Sequence, residues 1–106
     1  MSNTCVVFAK AEAVGLFDRG WSVNRVLAAY CSAMTDRVVS LIQRLGSAEK
    51  DFVITGGIAK NIGIVKRLER NLGVEALPAT LDTQIAGALG AAIFARGLLL
   101  RSRQAA

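Results

Sequence analysis

The chain has 106 residues, 53% hydrophobic and 20% charged, with 13 basic against 8 acidic side chains and a net charge of +5. That composition builds a core and excludes a disordered chain, and the length allows one domain. Histidine is absent, which excludes imidazole bases and imidazole metal ligands, and the two cysteines form no CxxC pair that could hold zinc or a redox disulfide.

The chain opens on Thr4–Ala9, a short apolar segment with β-branched residues that reads as a buried strand. Ala11–Arg19 reads as a short helix stopped by Gly20. Ser22–Leu45 is the clearest helix. Val23, Val26, Leu27, Tyr30, Met34, Val38, Leu41, Ile42 and Leu45 recur at steps of three and four, with Ser22 as cap, Trp21 stapled to Val26, and Gly46 at the far end. Asp51–Thr55 reads as a second buried strand, followed at once by Gly56 and Gly57. Asn61–Leu72 reads as a helix closed by Gly73, and Val74–Leu77 as a third strand before Pro78. A last helix runs from Asp82 or Thr83 to about Leu100, with 104–106 as a frayed tail.

Alternation of this kind predicts an α/β layer with few parallel strands and packed helices. Two or three strands make only part of a sheet, so further strands are expected from elsewhere.

Two segments carry chemistry. In Phe52–Asn61 a strand ends in two glycines and leads into a helix. Glycine lets a flat group approach the backbone, and ligands of open α/β sheets bind beyond such strand ends. An ordinary strand-to-helix turn would look the same. In Asp82–Ala95, glycines and alanines inside a helix point to close approach by another backbone or a ligand. Cys5 is either a metal-cluster ligand or a buried apolar filler, and Cys31, beside the apolar stripe of its helix, belongs to the core. The basic residues Arg37, Arg44, Lys66, Arg67 and Arg70 are scattered, with no aromatic residues between them, so no nucleic-acid partner is expected. The longest apolar run, Ile85 to Ala95, is well short of the roughly 20 residues a spanning helix needs, so no membrane partner is expected. No secretory leader is visible, which points to the cytoplasm.

Taken together, the stretches NTCVVFAKAE from Asn3, FVITGGIAKN from Phe52 and DTQIAGALGAAIFA from Asp82 resemble the ATPase subunits of benzoyl-CoA reductase and the activators of 2-hydroxyacyl-CoA dehydratases. These belong to the superfamily of actin, sugar kinases and heat-shock chaperones. The resemblance implies the C-terminal third of a partial actin-like, ribonuclease H-like ATPase lobe, with residues 1–106 as a single domain on the adenosine side of the cleft. It implies ATP or ADP with Mg²⁺ as cofactor, and Gly56, Gly57, Ile58 and Ala59 beside the adenosine, joined by Gln84 from the last helix. It further implies a 4Fe–4S cluster shared across a homodimer, with Cys5 matching one of its ligands, and a dehydratase or reductase component as electron acceptor. The family's first cluster cysteine and its phosphate loops have no match here. Met1 therefore resembles a truncated or artificial start, and the chain alone is expected to carry no catalytic residues, no cluster and no ATPase turnover. Two alternatives stand beside this reading: a piece of an N-acetylglucosamine-kinase-like sugar kinase, or a non-catalytic packing module.

Overall fold

The computed structural model describes residues 1–46 and 51–105. Four helices carry the chain: α1 (Val6–Asp18), α2 (Val23–Arg44), α3 (Ile62–Leu72) and α4 (Ala86–Ala105). Two 3-10 turns, Gly57–Lys60 and Thr83–Ile85, precede α3 and α4.

The core is the crossing of α2 and α3, with α1 laid against α2. Ile64 and Leu68, four apart on α3, are 2% and 4% exposed, and α2, packed against both α1 and α3, buries Val26 and Ala33 on one side and Thr35 on the opposite one. The Thr35 hydroxyl would be orphaned there, but it donates to the Cys31 carbonyl one turn back at 2.8 Å. Cys31 faces the same crossing, its Sγ only 3.2 Å from where a Cβ on Gly63 would stand, so the expected core place of Cys31 agrees with the packing. α3 is closed at both ends. The Asn61 side chain accepts from the Gly63 and Ile64 amides, and Gly73 ends the helix at φ 71°, a left-handed conformation that suits glycine.

The strand expected at Thr4–Ala9 is not a strand: helix α1 begins at Val6 and runs unbroken to Asp18. A short apolar β-branched run reads alike as a strand or as helix, and here no neighbouring strand pairs with it. A helix satisfies its backbone internally. Val6, Val7 and Phe8 are 75%, 68% and 66% exposed, and of this segment Ala9 alone is buried. α1 ends as expected, with the Gly20 amide bonded to the Phe17 carbonyl.

One feature of α2 also differs. Ser22 occupies the cap position, but its hydroxyl makes no capping bond. Trp21, just before it, carries the Arg25 guanidinium 4.3 Å over its ring, a cation–π contact.

The α/β expectation is not confirmed. Among the described residues no strand forms at Asp51–Thr55 or Val74–Leu77. The two segments run without helix, and the Leu77 amide donates to the Phe52 carbonyl at 2.8 Å. One such bond does not make a ladder, which needs a repeating series along both edges. The last helix runs further than expected, through Gln104 to Ala105, and Ala106 lies outside the described residues.

Candidate functional site

The glycine pair sits where two distant segments are tied together. Gly56 has φ 81° and ψ −175°, a conformation that a side chain resists. Its amide donates to the Thr83 carbonyl at 2.8 Å, and its carbonyl accepts from the Thr83 hydroxyl at 3.0 Å. The turn before α3 is thereby latched to the turn before α4. The chain then coils tightly, with the Ala59 amide on the Gly56 carbonyl and the Asn61 amide on the Ile58 carbonyl.

A second tie lies on the side-chain level. The Lys60 ammonium donates to Asp82 Oδ2 and to Gln84 Oε1, each at 3.0 Å. The other carboxylate oxygen of Asp82 accepts from the Gln84 amide at 3.0 Å. This backbone bond first, and Lys60 second, hold the Asp82 carboxyl below its usual value. A Cβ on Gly57 would stand 3.4 Å from Gln84 Nε2. Gly57 thus gives a bare backbone surface with one carboxamide at its edge.

Two open clefts share Thr83 of this junction in their lining. One, of about 190 Å³, is lined by Ile54, Ala59, Pro78 and Thr83. The other, of about 240 Å³, is lined by Val53, Thr55, Leu81, Asp82 and Leu89. The structure therefore brings Gly56, Gly57, Ile58, Ala59 and Gln84 into one neighbourhood, Ile58 about half-exposed. Lys60, Asp82 and Thr83 were not singled out by sequence reasoning. Their one visible signal is that Asp82 stands where a helix cap is expected; their contacts span more than 20 residues and leave no local pattern.

Cys5 lies apart from this junction. It holds the cap position of α1, with extended backbone, and its carbonyl accepts from the Ala9 amide at 3.0 Å. It is half-buried and lines an open cleft of about 260 Å³ with Asn3, Thr4, Tyr30, Met34 and Arg37. The Arg37 guanidinium donates to the Asn3 carbonyl at 3.1 Å and fixes the approach to the cap. The free amides of the first turn of α1 and the arginine make this a place that favours negative charge. Cys31 packs at the α2–α3 crossing, and no group of three or more Cys, Asp or Glu among the described residues could hold a metal. An iron–sulfur cluster commonly takes four thiolates. These residues do not hold one by themselves, and Cys5 could give one ligand.

α4 passes this region at its first turn and then leaves the other helices. By length and composition alone the stretch Thr83–Ala105, with a mean hydropathy of 1.4, passes as a membrane span, a test that an apolar packing helix also passes. None of it is buried against the rest of the chain.

Residues 1–95 match the BadF/BadG/BcrA/BcrD ATPase family. The chain is 40% identical over 95 residues to the (R)-2-hydroxyglutaryl-CoA dehydratase activating ATPase of Acidaminococcus fermentans, covering 90% of this chain and 36% of the relative. It is 34% identical over 95 residues to the 2-hydroxyisocaproyl-CoA dehydratase activator of Clostridioides difficile, covering 90% of this chain and 35% of the relative. The chain thus spans about a third of the length of these curated relatives. A solved structure, the activator of the 2-hydroxyisocaproyl-CoA dehydratase from Clostridium difficile with bound ADPNP, superimposes with a TM-score of 0.83 at 30% identity, over 100% of this chain and 40% of that one.

Proposed function

The chain belongs to the BadF/BadG/BcrA/BcrD ATPase family, and on that premise we propose that it is the C-terminal, adenosine-side part of an actin-like ATPase that activates a CoA-thioester dehydratase. A benzoyl-CoA reductase partner is the second member of the same class. The identity to two dehydratase activators supports the dehydratase as partner. It also favours an activator over a sugar kinase. We place the protein in the cytoplasm. α4 lies within the span aligned with an activator, so its apolar character fits a family packing face.

The observation that carries the nucleotide reading is the glycine turn latched to Thr83, with Gln84 at its edge. ATP or ADP, with Mg²⁺ on its phosphates, takes its place with the nucleoside against Gly56, Gly57, Ile58 and Ala59. The ADPNP in the activator's structure supports this assignment. The chain's own part is to bind and orient the nucleoside. Calorimetric titration of the chain with ADP tests it: saturable binding that adenosine competes away is the expected result, and no saturable binding would sink the reading.

Cys5 is proposed as one ligand of a 4Fe–4S cluster in the intact homodimeric protein, the remaining thiolates coming from outside these residues. The cluster, when bound, supplies a low-potential electron for the partner component. In the intact protein Cys5→Ser is expected to abolish the cluster's visible absorbance and to leave ADP binding in place. Full iron content in that variant would return Cys5 to a packing role.

A further inference from the structure

Lys60 is the last residue of the 3-10 turn that Gly57 opens. Its ammonium reaches the second 3-10 turn and meets Asp82 Oδ2 and Gln84 Oε1 together, both at 3.0 Å. Asp82 Oδ1 in turn accepts the Gln84 amide. Gln84 is therefore held twice, at its backbone N–H by Asp82 and at its side-chain oxygen by Lys60. With Oε1 committed to the ammonium, Nε2 is the end left over. That is the atom 3.4 Å from the position a Cβ would take on Gly57. An exposed glutamine carboxamide is free to turn over and offers either a donor or an acceptor. Here a charged partner fixes which end faces the turn.

We infer that Lys60 is a positioning residue of the nucleoside site: it locks the Gln84 carboxamide so that its N–H donors face the Gly56–Gly57 turn, where they suit an acceptor atom on the nucleoside, a ring nitrogen or a ribose oxygen. The inference rests on the nucleotide reading of that turn. It assigns Lys60 to the nucleoside end of the ligand, with no direct contact to the phosphates. The ion pair with Asp82 is exposed on both sides, so its worth to folding is small, which leaves orientation as the larger consequence.

The test is a double-mutant cycle on the full 106-residue chain, titrated separately with adenosine and with ADP: unaltered, Lys60→Met, Gln84→Ala, and both together. Lys60→Met is expected to weaken adenosine and ADP by the same factor, about two- to tenfold, the range of one net hydrogen bond. It should add little once Gln84→Ala is present, and Lys60→Arg should restore part of the loss. Without ligand, the Gln84 side-chain amide signals in ¹⁵N NMR should lose dispersion in Lys60→Met while the helical circular dichroism is retained. A loss confined to ADP would overturn the inference, because it would put the ammonium on the phosphates. Additive losses would overturn it as well. If the unaltered chain is saturated by adenosine and Lys60→Met changes nothing, the inference fails alone. If neither ligand saturates the unaltered chain, the nucleotide reading fails and takes this one with it.

Discussion

Gly56 and Gly57 are neighbours with different reasons to be glycine. Gly56 sits at φ 81° with open space where a Cβ would go, so its requirement is conformational. Gly57 has an ordinary backbone, and a Cβ there would touch Gln84 Nε2 at 3.4 Å, so the fold tolerates a small side chain that would cover the bare backbone beside the carboxamide. Gly56→Ala should therefore cost about 1–3 kcal/mol of stability, the cost of placing a side chain on a backbone with positive φ and extended ψ. Gly57→Ala should leave stability within about 0.5 kcal/mol, as for a tolerated surface change, while crowding the Gln84 carboxamide and weakening adenosine. Urea midpoints and adenosine titrations on the two variants separate these effects, and the reverse pattern would make Gly57 the structural residue. The glycine pair was legible in the sequence because adjacent glycines before a helix are a local signal. Its latch was not, because Thr83 reaches Gly56 across 27 residues, and one hydroxyl at the start of a 3-10 turn carries no mark of where it points. Cys5 shows the same division: its cap position on α1 depends on a helix that its own neighbours, Val6 and Val7, disguise as a strand.

At the scale of elements, the extent of α3 was legible, with Gly73 just past its end. The burial of Ile64 and Leu68, beside an Ile62 left 69% exposed, and the cap made by the Asn61 side chain appear only in the structure. Asn61→Ala removes the acceptor of two first-turn amides and should cost about 1 kcal/mol, measured by thermal unfolding. The expected strands do not form because an apolar β-branched run records burial but not pairing, and among the described residues the backbone bond between these two segments is the single one from Leu77 to Phe52. That neighbouring segment is tied down from α3 instead. The Glu69 carboxylate pairs with Lys66 at 2.9 Å and accepts the Ala76 amide at 3.1 Å. Lys66 first, and the Ala76 amide second, hold the Glu69 carboxyl below its usual value near 4.5. A carboxyl lowered by folding stabilises the fold fully above that usual value, and the contribution fades as pH falls through the lowered one. Lys66 is raised above 10.5 by the same partner, so its share is present below that pH and is lost as pH rises through the raised value. The Ala76 amide resonance should therefore titrate below pH 4.5 and stay constant from there to neutral pH. Glu69→Gln should remove that inflection; an inflection that survives would mean another group holds Ala76.

The whole molecule is longer than a chain of this size should be. Its radius of gyration is 18.9 Å and its extents are 69 × 28 × 25 Å, against about 13 Å expected for a compact domain near 100 residues. The cause is α4, which contacts the second 3-10 turn and then runs clear of α1, α2 and α3. Its apolar side chains are distributed around the helix, and Ile93 and Phe94 are 61% and 65% exposed. No single stripe in the sequence marks which side is to be covered, so the direction in which α4 departs was not legible there. A monomer seldom exposes an unbroken apolar surface of this kind, and such a surface drives association in water. The chain on its own is thus expected to elute in size-exclusion chromatography above its 11.2 kDa mass and to enhance the fluorescence of an apolar dye. Phe94→Glu with Leu98→Glu, both on the exposed helix, should lower the dye signal and move elution toward the monomer. Helical circular dichroism should be kept, since neither residue supports the α2–α3 core. Monomeric elution and no dye binding by the unaltered chain would mean that α4 folds back onto the rest of the molecule in solution.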